Sequence, residues 1–395
     1  MTAPLDGLLV ADFSRVLAGP LATMTLADLG ATVVKVERPG SGDDTRSWGP
    51  PWTAGSSAYF DGLNRGKYSL ALDLTLAADL TAARELAARA DVLVHNLRPA
   101  GMRGFGLDYE TVAEVNPAVV YCTVTGFGPH TDLPGYDFLV QAVGGLMSIT
   151  GEPDGDPTKA GVALVDVLTA KDATIGILAA LHRRERTGHG DHVQVDLLSS
   201  LLGSLVNQAA GYLVTGTPPG RMGNRHPSIA PYETLRCADG PIAVACGNDR
   251  QFSRLCTELG IAELATDPRF AGNPSRVAHR DDLVAALEEA LAADTAANWE
   301  RRLTAAAVPA GLVGDIGDAI RRADSYGLQP LVALPDGGTQ IRHPITWTRA
   351  PIARPAGPPA LGEHTGMLRA WLADPSGTPL PTVGRAPGAG SGPAG

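Results

Sequence analysis

The chain holds 395 residues, enough for two domains, and 44% of them are hydrophobic and 19% charged, an ordinary globular composition. The formal net charge of −10 excludes a general field that attracts nucleic acid, so an anionic ligand needs a local basic pocket. Four cysteines, Cys122, Cys237, Cys246 and Cys256, form no CxxC pair, which argues against a zinc or disulfide framework and predicts reduced thiols in a cytoplasmic protein.

Met1 to Leu8 carries Asp6 and no basic stretch before an apolar run, so it does not read as a signal peptide. Leu8 to Val10 reads as a buried strand ending at Asp12. A loop, Ser14 to Gly19, leads to a helix that Pro20 opens and Gly30 closes. Val33, Val34 and Val36 give a second strand. This β-loop-α-β unit predicts a parallel sheet. Leu76 to Ala90 reads as a helix, and Val92 to Val94 and Val119 to Val124 as strands. Helices are expected over Tyr136 to Ile149 and Asp166 to Arg186, the second with cations in its last turn and Gly188 beyond. His192 to Val195 is a strand, and Leu197 to Leu213 one helix. The run from Ile175 to Leu181 is too short to span a bilayer, so no membrane partner is expected.

The texture changes after Thr215. Residues 1–215 are assigned to a large Rossmann-like α/β domain and 216–231 to a linker. Residues 232–315 form a smaller α+β domain, and 316–373 return to the large one. The Gly/Pro/Ala-rich stretch 374–395 reads as a disordered tail.

Several chemistries fall away on motif grounds. The first βα turn offers only Gly19, not G-x-G-x-x-G, so a dinucleotide role lacks its fingerprint. Gly66-Lys67 has no Gly five positions before it and Tyr68 after it, so it is no phosphate loop. There is no G-x-S-x-G elbow, and the histidines show no ligand spacing, so no metal is expected. Ligands of open parallel sheets sit beyond the carboxyl ends of the strands. Arg15, Arg38, Lys67, Arg98 and Arg103 fall at predicted strand ends or in loops. Singly each reads as a surface residue; together they suit a phosphate-bearing ligand. Asp166 interrupts an apolar run at a predicted helix start. It reads either as a helix cap or as a working carboxylate. Asp137, also at a helix start, has the same two readings.

The ordered landmarks resemble the class III CoA-transferases, the family of formyl-CoA and carnitine CoA-transferases. They include Leu17-Ala18-Gly19-Pro20, Val34-Lys35-Val36-Glu37-Arg38-Pro39, Asn64-Arg65-Gly66-Lys67 and Val94-His95-Asn96-Leu97-Arg98-Pro99. Gly126-Phe127-Gly128-Pro129, Gly135-Tyr136-Asp137, Gln141-Ala142, Leu164-Val165-Asp166 and Leu361-Gly362-Glu363-His364-Thr365 follow. The resemblance implies that Asp166 attacks an acyl-CoA thioester and then carries CoA as an aspartyl thioester. It implies that Val16, Leu17, Ala18, Arg38, Lys67, Asn96, Arg98 and Arg103 line the coenzyme A site. Tyr136, Asp137 and Gln141 then face the acyl substrate and the carboxylic acid acceptor. It also implies a homodimer of interlocked subunits.

Two departures bear on the substrate. Leu17 stands where formyl-CoA transferases have Gln, and Gly223 to Ala230 lacks their run of glycines. Both argue against formate and oxalate. The rival on the same fold is a 2-methylacyl-CoA racemase, which needs a proton donor on each face of the α-carbon. Racemases carry His where Tyr136 stands, so transfer is the expected chemistry. A non-catalytic CoA-binding protein would not demand the Asp166 carboxylate.

Overall fold

The computed structural model describes residues 3–131, 133–335, 337–350 and 355–374. The expected tail, apart from Asp374, lies outside the described residues. Contacts divide the chain into two units. One comprises 1–144, 160–210 and 329–395, the other 145–159 and 211–328. The smaller unit thus reaches further than 232–315: it takes in 145–159, the stretch assigned as linker, and the chain up to Leu328.

The larger unit alternates strands and helices. Its elements run β1 (Leu9–Phe13), α1 (Ala18–Asp28), β2 (Thr32–Glu37), α2 (Ala58–Asn64), β3 (Lys67–Ala71), α3 (Ala77–Arg89), β4 (Val92–His95), α4 (Pro99–Phe105), α5 (Tyr109–Val115), β5 (Val120–Thr125), α6 (Asp137–Val143), α7 (Leu164–Thr187), β6 (Asp191–Asp196), α8 (Leu197–Ser204) and α9 (Val206–Thr215). The last of these runs on into the smaller unit. All six strands are parallel, in the order β3-β2-β1-β4-β5-β6. Central strands β1 and β4 are buried on both faces, hence their runs of Val and Leu. Strand order reverses between β1 and β4, so their carboxyl ends open a crevice there.

Edge strand β3 is nonetheless buried. The segment 361–365 covers it. His364 N–H donates to Ser69 O (3.1 Å), Ala71 N–H to Thr365 Oγ1 (2.9 Å) and Gly362 N–H to Ser69 Oγ (2.8 Å). An edge that would otherwise offer unpaired amides is closed by the returning chain.

Two helix expectations fail in instructive ways. The helix from Tyr136 stops at Val143, because Gly144 and Gly145 follow and Gly145 takes a φ of +88°. The Leu-rich helix from Leu197 is two helices, α8 and α9, bent by 79° where Val206 adopts a φ of +38°. Among the described residues no single helix is long and apolar enough to cross a membrane.

The smaller unit packs β7 (Tyr232–Arg236), β8 (Pro241–Ala245) and β9 (Ala310–Leu312) antiparallel, with α10 (Asp249–Leu259), α11 (Asn273–Ala278), α12 (Arg280–Leu291), α13 (Ala296–Ala305) and α14 (Ile316–Ser325). Leu235, Ile242, Phe252, Leu283 and Trp299 form its core. The chain then adds a hairpin, β10 (Leu331–Ala333) and β11 (Thr339–Ile341), and α15 (Thr365–Ala373) to the larger unit.

Candidate active site

The crevice is built around the loop between β1 and α1. Asp12, fully buried, accepts Ser14 N–H (2.9 Å) and Ser14 Oγ (2.5 Å) on one oxygen. The other accepts Thr23 Oγ1 (2.7 Å) and Lys67 Nζ (3.0 Å). Lys35 Nζ donates to Ser14 O (2.9 Å) and pairs with Asp43 (2.8 Å). From the other side Asn96 grips Arg15 twice. Its Nδ2 donates to Arg15 O (2.7 Å) and its Oδ1 accepts Arg15 N–H (2.9 Å). Held in this way, Val16 sits at a φ of +70°, a conformation that costs a β-branched residue on the order of 1–2 kcal/mol. A Cβ at Gly19 would lie 2.3 Å from the Ser14 Cβ, so only glycine lets α1 start this close to the loop. No side chain caps α1, whose first residues line the crevice.

Lys67 is therefore not a ligand cation. Its ammonium is wholly buried and donates to Asp12, Pro20 O (2.9 Å) and Asn64 Oδ1 (2.9 Å). Its acceptors are already within the fold, and a coenzyme cannot reach it. Arg15, Arg38, Arg98 and Arg103 are exposed, and two of them carry ion pairs: Arg15 and Arg38. Both lean on Asp44, at 3.4 and 3.0 Å.

Two cavities adjoin. One, of about 240 Å³, is lined by Val16, Leu17, Ala18, Asn96, Arg98, Tyr136 and Asp166 among others. The next, of about 420 Å³, has Arg38 with apolar Leu72, Leu74, Leu97 and Phe105. Arg15 and Leu97 line both, so the two form one elongated cleft with a carboxylate at one end and a cation over apolar surface at the other. Arg103 lines neither. It opens on a third cavity of about 170 Å³, beside His95, Tyr109 and His192, which meets the Asp166 cavity at Pro99 and Thr125.

Asp166 is the third residue of α7, a helix of 24 residues. It is not the cap: Ala163 holds that position without a side-chain bond. The first-turn amides do not hold its carboxylate ionised either. Asp137 takes them, its Oδ1 accepting Val165 N–H (2.8 Å) and Asp166 N–H (3.3 Å). Burial, then the Asp137 charge, push the Asp166 carboxyl up to about 7. Gln141 is wholly buried and donates Nε2 to Asp137 (2.7 Å) while its Oε1 accepts Ala160 N–H (2.9 Å). The expectation that Gln141 touches substrate is thereby corrected: it is spent on the fold. Asp137 likewise has both oxygens engaged. Tyr136, in contrast, is exposed and faces the cleft. Its loop reaches β5 because Gly126 and Gly135 meet backbone to backbone; a Cβ on either would lie 2.3 Å from the other's Cα.

Sequence reasoning missed Tyr59. Burial, then Asp166, Asp137 and Asp43, push its hydroxyl up to about 12, so it faces the carboxylates as a neutral phenol. Trp48 packs against it edge-on, with ring centroids 5.4 Å apart. Nothing in its neighbours Ala58 and Phe60 marks it in the sequence. Asp43 and Asp44 were missed too, although their adjacency to Arg38 and Arg46 was visible. Among the described residues no group of three or more His, Cys, Asp or Glu gathers as a metal site.

The family model described as CoA-transferase family III matches residues 5–365. A succinate–glutarate CoA-transferase of Agrobacterium fabrum is 42% identical over 387 residues, covering 93% of this chain and 96% of its own length. An acetyl-CoA:oxalate CoA-transferase of Acetobacter aceti is 41% identical over 379 residues, with coverages of 94% and 96%. Among solved structures, a CAIB/BAIF family protein from Brucella suis superposes with a TM-score of 0.84 at 44% identity, covering 94% of this chain and all of that one.

Proposed function

Because the chain belongs to CoA-transferase family III, we propose that its reaction runs through Asp166 as a covalent carrier of CoA, inside the cleft between the carboxyl ends of β1 and β4. The observation that carries this reading is Asp166 itself. It is a partly buried carboxylate, raised to about 7, on the wall of a cleft that reaches Arg38. Among the described residues no donor is hydrogen-bonded to it, so its lone pairs face the cleft. A carboxylate serving only the fold would be paired, as Asp12 is.

The steps balance without a net proton. An Asp166 oxygen attacks the thioester carbonyl carbon, the C–S bond breaks, and CoA leaves as thiolate from a mixed anhydride. The thiolate attacks the Asp166 carbonyl carbon, giving an aspartyl-CoA thioester and releasing the donor acid as carboxylate. The acceptor carboxylate then attacks that thioester and regenerates anhydride and thiolate. Attack of the thiolate on the acceptor carbonyl yields the new acyl-CoA and frees Asp166. Every leaving group is an anion, so no second proton donor is required. That agrees with Tyr136 standing where racemases carry His. Tight positioning must supply much of the rate, because a carboxylate is a weak nucleophile. The strained Val16 loop and the uncapped start of α1 line the same cavity, and the amides from Leu17 onward are the donors we assign to a developing oxyanion.

Arg38 and the apolar wall of Leu72, Leu74, Leu97 and Phe105 suit the nucleotide end of CoA. The relatives' names pair CoA with succinate, glutarate and oxalate. A short dicarboxylate is therefore the acceptor class we assign. Oxalate stays within it, against the expectation drawn from Leu17. The interlocked homodimer is part of the proposal and rests on the family resemblance.

Trapping tests the mechanism. The protein is incubated with succinyl-CoA, treated with hydroxylamine or borohydride, digested and mapped by mass spectrometry. Modification is expected on the peptide carrying Asp166. Transfer with the label elsewhere overturns the reading.

A further inference from the structure

A long helix normally finds its cap in its own preceding residue. Helix α7 does not. Its first turn is held from α6, by two side chains one helical turn apart. Asp137 accepts the amides of Val165 and Asp166, Gln141 accepts that of Ala160, and Gln141 Nε2 locks the two side chains together. Three backbone amides between residues 160 and 166 are thus fixed by one pair. The pair also leaves a full negative charge beside Asp166, because amides and an amide side chain, not a cation, satisfy Asp137.

We propose that Asp137 is the positioning residue of the transfer reaction, fixing the turn that carries Asp166 and keeping an anion against it. The inference rests on the reading of Asp166 as nucleophile. The chemistry gives the anion a purpose. A carboxylate attacking a thioester must expel a thiolate, and even a cysteine thiol has a pKa of about 8.5. An ordinary aspartate, near 3.9, is a much weaker base, so anhydride formation runs steeply uphill. A more basic Asp166 narrows that gap. The cost is that Asp166 is protonated, and idle, over more of the acid range. Other groups around it do not undo the effect. Tyr59 from α2 faces it as a neutral phenol. Arg15, Asp44 and Arg98 line the same cavity, but Arg15 is drawn to Asp44; burial raises Asp166 most, and Asp137 is the charge that adds to it.

The test compares pH profiles of kcat for wild type, Asp137→Asn and Asp137→Ala, with succinyl-CoA as donor and glutarate as acceptor. In wild type the rate is expected to rise with pH through about 7. Asparagine keeps an oxygen for the two amides but removes the charge. Its acid limb should move down by about one pH unit, burial keeping the rest of the shift, with a several-fold lower plateau and an unchanged KM for the donor. Alanine removes the cap as well and should lose at least a further ten-fold at every pH. A merely structural residue would lower the plateau and leave the acid limb in place, and that result overturns the proposal. Trapping on each variant separates the two levels. Label on Asp166 with an unmoved limb rejects only the role of Asp137. Transfer without label on Asp166 rejects the nucleophile itself.

Discussion

Two aspartates at the same crevice, Asp12 fully buried and Asp166 partly so, behave in opposite ways. Burial alone would raise both. At Asp12 the charges of Lys67 and Lys35, and the Ser14 and Thr23 hydroxyls, more than offset it and bring the carboxyl down to about 2. At Asp166 the near charge is another carboxylate, and the group rises to about 7. One sits in a network whose partners are complete; the other is supported only through its backbone. The contrast separates charge that shapes the site from charge that works in it. It also explains why Lys67, a strand-end cation by sequence, belongs to the first class.

Asp166→Ala is expected to cost the most activity. Transfer should fall by at least about 10⁴-fold, the scale on which a covalent nucleophile contributes. Free CoA should bind within a few-fold of wild type by calorimetry, since Arg38 and the apolar wall are untouched. Substantial residual transfer would place Asp166 with Asp12, as a residue of the fold.

The second test strikes the other aspartate. Lys67→Met leaves Asp12 charged, buried and short of its main partner. Breaking one side of a buried pair costs about 3–5 kcal/mol. Urea unfolding should show a loss of that size, far above that of an exposed substitution. Acid sharpens the point. Asp12 is lowered in the folded state, so its contribution is full above its unfolded value and disappears as pH falls through about 2.

How far the sequence carries the reader follows from the same division. The sheet was legible because Val- and Leu-rich runs such as Val92 to Val94 admit little but a buried strand. The end of α7 was legible from Gly188, a left-handed cap after a basic last turn. Asp166 was legible as an anomaly in an apolar run. Its environment was not. That Asp137, 29 positions earlier, takes the amides Asp166 was expected to use is a fact of packing between helices. The break at Val206 and the burial of Lys67 were hidden for the same reason. Apolar periodicity does not record which side chain meets which across the fold.

A third prediction concerns what Asp166 costs the fold. Its folded value lies above its unfolded one, so the native state holds the proton more tightly between about 4 and 7. Stability attributable to this group is therefore present at low pH and lost as pH rises through about 7. Asp166→Asn should be more stable than wild type at pH 8, by on the order of 4 kcal/mol at most, and nearly equal to it at pH 4. Thermal melts at the two pH values check the sign. A variant less stable at pH 8 would mean that the carboxylate has a partner, and the contrast with Asp12 would collapse.

The smallest expected effect distinguishes two arginines that the sequence treats alike. Arg38 lies on the cleft that also holds Asp166, and its guanidinium is well exposed, with Asp44 as its one ion partner among the described residues. Arg103 faces the third cavity, beside His95 and His192, on the far side of Pro99 and Thr125. Exposed charge pairs are worth about 1 kcal/mol or less, and a contact to phosphate in water is of the same order. Arg38→Ala should therefore raise the KM for acyl-CoA roughly five-fold and leave kcat near wild type, because the interaction is the same in ground and transition states. The increase should shrink with added salt, as screening requires. Arg103→Ala should change neither constant. If the two variants raised KM equally, the coenzyme would extend past α4 into the third cavity, and the cleft drawn from Arg38 to Asp166 would be too short.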